Sequence, residues 1–334
     1  MKKFLIYFFI AISTLVIFYW IGPHPHIPQL SSSLPQVPAL SKIEDSIIKS
    51  ESSLPVKPLN EAKIIWANNS IHQKTKFSLV YLHGFSASHE EGSPLHTEFA
   101  KRYGCNLFLS RLAYHGLKDS DAFANFQADS YYASAKTALQ IGVRLGDSVI
   151  LMATSAGGAL ALTLAASEQN IPIKALILYS PCIQIFDPNS KLLDKPWGLQ
   201  IARFIFKGDY LKGREDSISK MFWYSKYRIE GVIGLQSFLD TKMNRNNFQK
   251  IHVPVLCLAY YKNKKMQDST VSVPAIQSMF TELGTSSTQK ELKLLPNVGS
   301  HVLACYIQSK DLNSVREATF EFAEKVLKLS LTKN

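Results

Sequence analysis

Hydrophobic patterning divides the chain into regions of different character. Residues 4–22, FLIYFFIAISTLVIFYWIG, carry no charge, and a run of this length predicts one helix across a bilayer. From His24 to Leu59 the sequence turns to Pro and Ser, with little periodicity beyond a helical turn around Lys42–Lys49. That composition predicts a semi-extended tether holding the rest of the chain off the bilayer. Beyond it, apolar runs of strand length alternate with amphipathic stretches. Strands are expected over Ala62–Ala67, Phe77–Leu82, Asn106–Leu112, Ser148–Ala153, Ile173–Ser180, Val253–Tyr261 and Lys290–Leu295. Helices are expected over Pro94–Tyr103, Asp129–Leu145, Val271–Leu283 and Leu312–Leu329. Such alternation predicts a mostly parallel sheet covered on both faces, with its ligand site beyond the carboxyl ends of the strands. Residues 183–250 break the rhythm with an aromatic-rich, charged stretch of helical pieces and no clear buried strand, which reads as a cap inserted over those ends. The expected organisation is an anchor over 1–23, a tether over 24–60 and one domain over 61–330.

Charge orients the anchor. Lys2 and Lys3 precede the apolar run and no basic residue follows until Lys42, so the positive-inside rule puts the N-terminus in the cytoplasm and the domain on the exported side, periplasmic or extracellular in a bacterium. Tyr19 and Trp20 suit the outer interface. A cleaved signal peptide has a shorter apolar core and a small-residue cleavage site, whereas this run is long and is followed by PHPHIP. The net charge of +11 is spread along the chain, with only Lys262, Lys264 and Lys265 clustered. No aromatic-interleaved basic run appears, so nucleic acid is not an expected partner, and proximity to anionic lipid suffices to explain the charge. Apolar content of 46% excludes disordered and collagen-like classes. Cys105, Cys182, Cys257 and Cys305 lie far apart, mostly beside apolar strands, and are expected as buried free thiols. His24 and His26 flank Pro25 without further metal ligands nearby, and no metal is expected.

The chemistry is expected where a strand meets a small-residue helix, in DSVILMATSAGGALALTLAA from Asp147 to Ala166. A serine held in so tight a turn needs small residues two before and two after it, and Ala153 and Gly157 flank Ser155 at those positions. The turn aims the Ala156 N–H and the start of a helix at whatever the serine attacks. Ser155 is the expected nucleophile, although Ala153 carries one methyl group more than the glycine of the usual G-x-S-x-G elbow.

His83-Gly84 after one strand, Ser155 on its elbow, an insertion, Asp268 after a later strand and His301 after the last strand together resemble the α/β-hydrolase fold over about residues 60–330. The monoacylglycerol lipase, lysophospholipase and serine-aminopeptidase-like branch is the nearest likeness, from the cap position and the Asp-x-x-Val and Gly-x-His surroundings. The resemblance implies a triad of Ser155, His301 and Asp268, and an oxyanion hole of the Phe85 and Ala156 amides. His301 would take the serine proton, and Asp268 would orient the imidazole. His252 opens its strand at the wrong end of the sheet, and His89, His96 and His115 would break the chain order of the triad. Asp268 could instead simply cap the next helix. Asp187, after the preceding strand, is the reserve acid. Arg111 stands where relatives often carry an acid, and Glu90 and Glu91 lie beside the expected oxyanion hole, either solvated or facing a polar or cationic group of the substrate.

The expectation is therefore a membrane-anchored serine hydrolase acting on a small-molecule ester or acyl lipid, without a cofactor. Amide or peptide cleavage and acyl transfer to an alcohol use the same triad and stay open. A non-catalytic, membrane-tethered binding protein of the same fold is the rival from another class. Trp197, Phe204, Phe206, Phe222, Trp223, Tyr224 and Tyr227 either line an acyl pocket or pack the cap.

Overall fold

A computed structural model describes residues 2–332. Helix α1 (Lys2–Trp20) is the one described helix long and apolar enough to cross a membrane, and none of Lys3–Trp20 is buried against the protein. Helix α2 (Leu40–Ser52) precedes β1 (Lys63–Ile65) and β2 (Thr75–Leu82). Then come α3 (Leu95–Tyr103), β3 (Asn106–Leu109), α4 (Ala128–Leu145), β4 (Gly146–Thr154), α5 (Ala156–Ser167) and β5 (Ile173–Tyr179). The inserted segment holds α6 (Gly198–Phe206), β6 (Tyr210–Lys212), α7 (Ser217–Phe222), β7 (Lys226–Arg228), α8 (Ile229–Lys242) and α9 (Arg245–Phe248). The chain closes with β8 (Val255–Asn263), β9 (Met266–Gln267), α10 (Val273–Glu282), β10 (Lys290–Leu295) and α11 (Leu312–Lys325).

The main sheet runs β1-β3-β2-β4-β5-β8-β10, parallel except for β1, with β9 folded back on β8. Alternation along the central strands supplies two cores. Val80, Leu82, Val149 and Leu151 face the side covered by α4 and α5, whereas Leu79, Tyr81, Ile150 and Met152 face Phe99 of α3 and Phe322 of α11. Strands buried on both faces explain why these segments read as continuous apolar runs. The small residues of α5 let it sit close to the sheet, and a Cβ on Gly157 would stand 2.1 Å from the Leu82 carbonyl oxygen. All four cysteines are buried and free.

The stretch expected as a tether does not hold the body off; it lies against it. Ile43 of α2 is buried in the main core, and Leu30, Val37, Leu40 and Ile47 pack against that core. Asp129 accepts bonds from the Gln29 amide at 2.6 Å and the His26 ring at 2.8 Å, Lys136 donates to the Ser31 carbonyl, and Ser237 of α8 donates to that of His26. The physical reason is the spacing of Leu40, Ile43 and Ile47, which gives α2 an apolar face too short to stand out in a Pro-interrupted stretch. At its end, Glu51 grips Arg111 with two bonds of 2.7 and 3.0 Å, both side chains being buried. The arginine that departs from the α/β-hydrolase pattern thus finds its counter-charge in the N-terminal segment.

Candidate active site

β4 ends at Thr154, α5 starts at Ala156, and Ser155 between them takes φ 54° and ψ −121°, a conformation costly for any residue with a Cβ. Neighbours over-determine it. The Ser155 N–H donates to the Tyr179 carbonyl at 3.0 Å, and its own carbonyl accepts from Gly158 and Cys182. Ala153 is fully buried between Leu82 and Leu178, so the extra methyl group is accommodated as part of the core.

The structure brings His301 and Asp268 together. His301 Nδ1 and Asp268 Oδ2 are 2.7 Å apart. The β8–β9 hairpin returns the chain so that the Asp268 N–H bonds the Tyr260 carbonyl, beside the carboxyl end of β8. Gly299, at φ 62°, turns the chain two residues before His301. The other carboxylate oxygen of Asp268 accepts from the amides of Thr270 and Val271 at 2.8 and 3.1 Å. Asp268 therefore does not cap α10: one of its oxygens closes the turn of Thr270 and Val271 and the other meets His301. Helix α10 itself begins later, on a Ser272 cap. Burial alone would raise the Asp268 carboxyl, but the His301 charge, its hydrogen bond and the two amides hold it below the ordinary range. Burial alone would likewise lower His301, and the facing Asp268, helped by Glu91, raises it instead.

Asp187 is exposed, and its side chain accepts from the Asn189 amide, capping a short 3₁₀ turn. His89, His96 and His115 are buried with ring atoms on the carbonyls of Glu61, His89 and Ala113 respectively. None of the three bonds an acid, and burial lowers each, His89 to about 3 and His96 to about 4.

Beyond β2, His83 is fully buried. Its Nε2 accepts from the Leu112 amide at 3.1 Å, so Nδ1 carries the proton it donates to the Gly84 carbonyl at 2.9 Å. This neutral ring, lowered by burial to about 4, ties the loop of Gly84 and Phe85 to the exit of β3. Among the described residues, the Phe85 and Ala156 amides have no protein acceptor.

Glu91 is the residue whose environment local sequence did not reveal. It is buried, not solvated, and its Oε2 accepts from the Gly84 amide at 2.5 Å. A Cβ on Gly84 would stand 2.9 Å from that oxygen and 3.0 Å from the Ser155 Cβ, which measures how tightly carboxylate and serine crowd this loop. Burial pushes Glu91 up to about 7 against the pull of the Gly84 amide, His301 and Arg214. The only local signal was a pair of acids near a His-Gly turn, and nothing in that spacing foretells that the cap covers one of them.

Phe85, Glu91, Ser155 and His301 border one cavity of about 860 Å³ that extends under the inserted segment. Of the aromatics considered for an acyl pocket, Phe206, Trp223, Tyr224 and Tyr227 line it. Phe222 packs with Ala87 and Val302, Phe204 points outward, and Trp197 stacks on Phe18 of α1. Arg214, not considered from sequence, also reaches the cavity.

Among solved structures, the chain is similar to one described under "LipS and LipT, two metagenome-derived lipolytic enzymes" (TM-score 0.63, 18% identity, 81% of this chain and 99% of that one). It is similar to a monoglyceride lipase of Saccharomyces cerevisiae (TM-score 0.60, 13% identity, 93% and 100%). It is also similar to a monoacylglycerol lipase of Paleococcus ferrophilus (TM-score 0.57, 12% identity, 80% and 98%). No family model matches the sequence, and no curated protein matches it. The likeness establishes that the chain has the α/β-hydrolase fold, with a helical cap inserted between β5 and β8.

Proposed function

We propose that the protein is a membrane-anchored serine hydrolase that cleaves a carboxylic ester, with an acyl lipid or lysophospholipid as its substrate class. One observation carries the reading: a strained, positive-φ serine opens onto the same cavity as a histidine bonded at 2.7 Å to a buried aspartate. Ser155 Oγ attacks the carbonyl carbon as His301 takes its proton, and Asp268 stabilises the imidazolium that forms. The Phe85 and Ala156 amides bind the oxyanion. His301 then returns the proton to the departing alcohol, leaving an acyl-serine, and activates a water that releases the acid. The cavity's aromatic lining supports an acyl chain, as do the lipolytic activities named for similar structures. Helix α1 is the anchor, with the N-terminus in the cytoplasm and the domain exported, a reading supported by the Lys2–Lys3 start and the uncharged run.

Hydrolysis of p-nitrophenyl acetate, butyrate and octanoate by wild type and Ser155→Ala, beside fluorophosphonate labelling, tests it. The substitution is expected to lower kcat/KM by roughly 10⁴–10⁶-fold and to abolish labelling. Equal rates in the two proteins would sink ester hydrolysis. A serine that still labels rapidly would then move the reading to amide bonds, and one that does not would move it to a binding protein of the same fold.

A further inference from the structure

Helix α6 turns only Gly198 and Ala202 inward. Leu199 is half-buried against the cluster of Ala202, Ile229 and Ile233, but the remaining apolar side chains face out, with Ile201 43%, Phe204 85%, Ile205 64% and Phe206 53% exposed, and Leu192 beside them 55%. Monomeric proteins rarely leave so many large apolar groups together in water. The same helix is joined to the anchor. Trp197, its N-cap, stacks on Phe18 with ring centroids 4.8 Å apart, and its indole N–H donates to the Phe18 carbonyl at 3.2 Å. Its backbone N–H donates to the Pro23 carbonyl at 3.0 Å. Phe18 lies in the last turn of α1, so α6 starts at the depth where a spanning helix leaves hydrocarbon, the level that Trp and Tyr favour. Ile201, Ile205, Phe206 and Leu192 also line the cavity that holds Ser155, so the apolar patch and the cavity mouth are one surface.

We infer that the outer face of α6 is seated in the same phospholipid leaflet as the anchor, so that the cavity opens into the bilayer and takes its ester laterally from the leaflet. The substrate part of this inference rests on the hydrolase reading above; the docking part does not. An amphipathic helix lying in the interface plane buries its apolar face at the boundary of headgroups and acyl chains. Exposed Lys191 and Lys207, flanking the patch in sequence, can keep their charges among headgroups while their stems follow the apolar surface.

The test uses the full chain carrying Ser155→Ala in phosphatidylcholine vesicles. An environment-sensitive fluorophore is attached through Phe204→Cys or, as control, through Ser70→Cys, an exposed site before β2 and hence at the other end of the sheet. Selective labelling is feasible because the native cysteines are buried. Nitroxide-bearing lipids are expected to quench the label at 204 and not the one at 70. A label at 204 that iodide in water reaches as freely as the control overturns the docking. So does shielding at 204 that vanishes on diluting the protein in lipid, which would assign the face to a second copy. With Ser155 restored, Phe204→Asp is expected to keep the wild-type rate on dissolved p-nitrophenyl acetate and to lose on the order of tenfold in kcat/KM on a vesicle-borne monoacyl ester. Equal loss on both substrates overturns lateral entry. Quenching needs no turnover, so an inactive wild type would sink the hydrolase reading while leaving the docking result intact.

Discussion

Helices α5 and α6 are both apolar and short, and they meet opposite fates. In AGGALALTLAAS every residue from Ala156 to Ala166 is buried, because α5 is enclosed by β2, β4, β5 and the helices α4, α8 and α9. In GLQIARFIF only Gly198 and Ala202 are buried, since α6 packs mainly on α8 and β6. Apolar character does not separate them; side-chain size does. Ala and Gly let α5 approach the sheet until its first turn fixes a serine in a strained conformation, whereas the bulky Phe and Ile of α6 leave a face that none of the other described residues covers. The first helix holds the serine, and the second leaves an apolar face at the mouth of the same cavity.

The contrast breaks most readily at Gly157. Its missing Cβ is what allows α5 within reach of the Leu82 carbonyl, so Gly157→Ala is expected to cost roughly 4 kcal/mol or more. The denaturant midpoint would fall accordingly. A variant within about 1 kcal/mol of wild type would show that the helix can back away, and that the elbow is less tightly held than its geometry implies. Next comes the clamp between the N-terminal segment and the body. Glu51→Ala strands the buried Arg111 guanidinium without its counter-charge and is expected to cost about 3 kcal/mol. Glu51→Ala with Arg111→Met should recover most of that loss, and thermal unfolding of the single and double variants checks it.

These regions also differ in how much of them the sequence disclosed. The strands and the elbow turn were legible because each rests on local spacing, apolar runs of strand length and small residues around Ser155, whereas the Ser-Asp-His order came from the likeness to α/β-hydrolases and not from spacing. Asp268 read as either a cap or a triad acid, since sequence shows a position and not which oxygen faces which donor. Arg111 looked anomalous because its partner lies sixty residues earlier, on a helix whose apolar face is only three residues. The aromatics of residues 183–250 could not be divided between cavity, core and surface, because that division depends on the path of the cap and on its contact with α1. Glu91 was opaque for the same reason. Its neighbour Trp223 comes from the cap.

Glu91 stands where the rigid site and the cap meet, and its titration sharpens the comparison last and least. Burial raises its carboxyl from 4.5 to about 7, so the fold favours the protonated form. A raised carboxyl contributes stability that is complete below its unfolded value and is lost as pH rises through its folded one. Wild type is therefore expected to lose up to roughly 3 kcal/mol between about pH 4.5 and pH 8 on account of this group. Glu91→Gln, which can still accept the Gly84 N–H, should lose none of it. The difference in melting temperature between variant and wild type should grow in the variant's favour from about pH 5 to pH 8. A difference flat with pH would mean that the carboxylate is solvated and that the cap does not seal it. The same substitution removes a negative charge that helps raise His301, so the acid limb of the pH–rate profile should move to lower pH. Removing the Gly84 bond alone would lower the rate without moving the limb, and that separates an electrostatic role for Glu91 from a purely structural one.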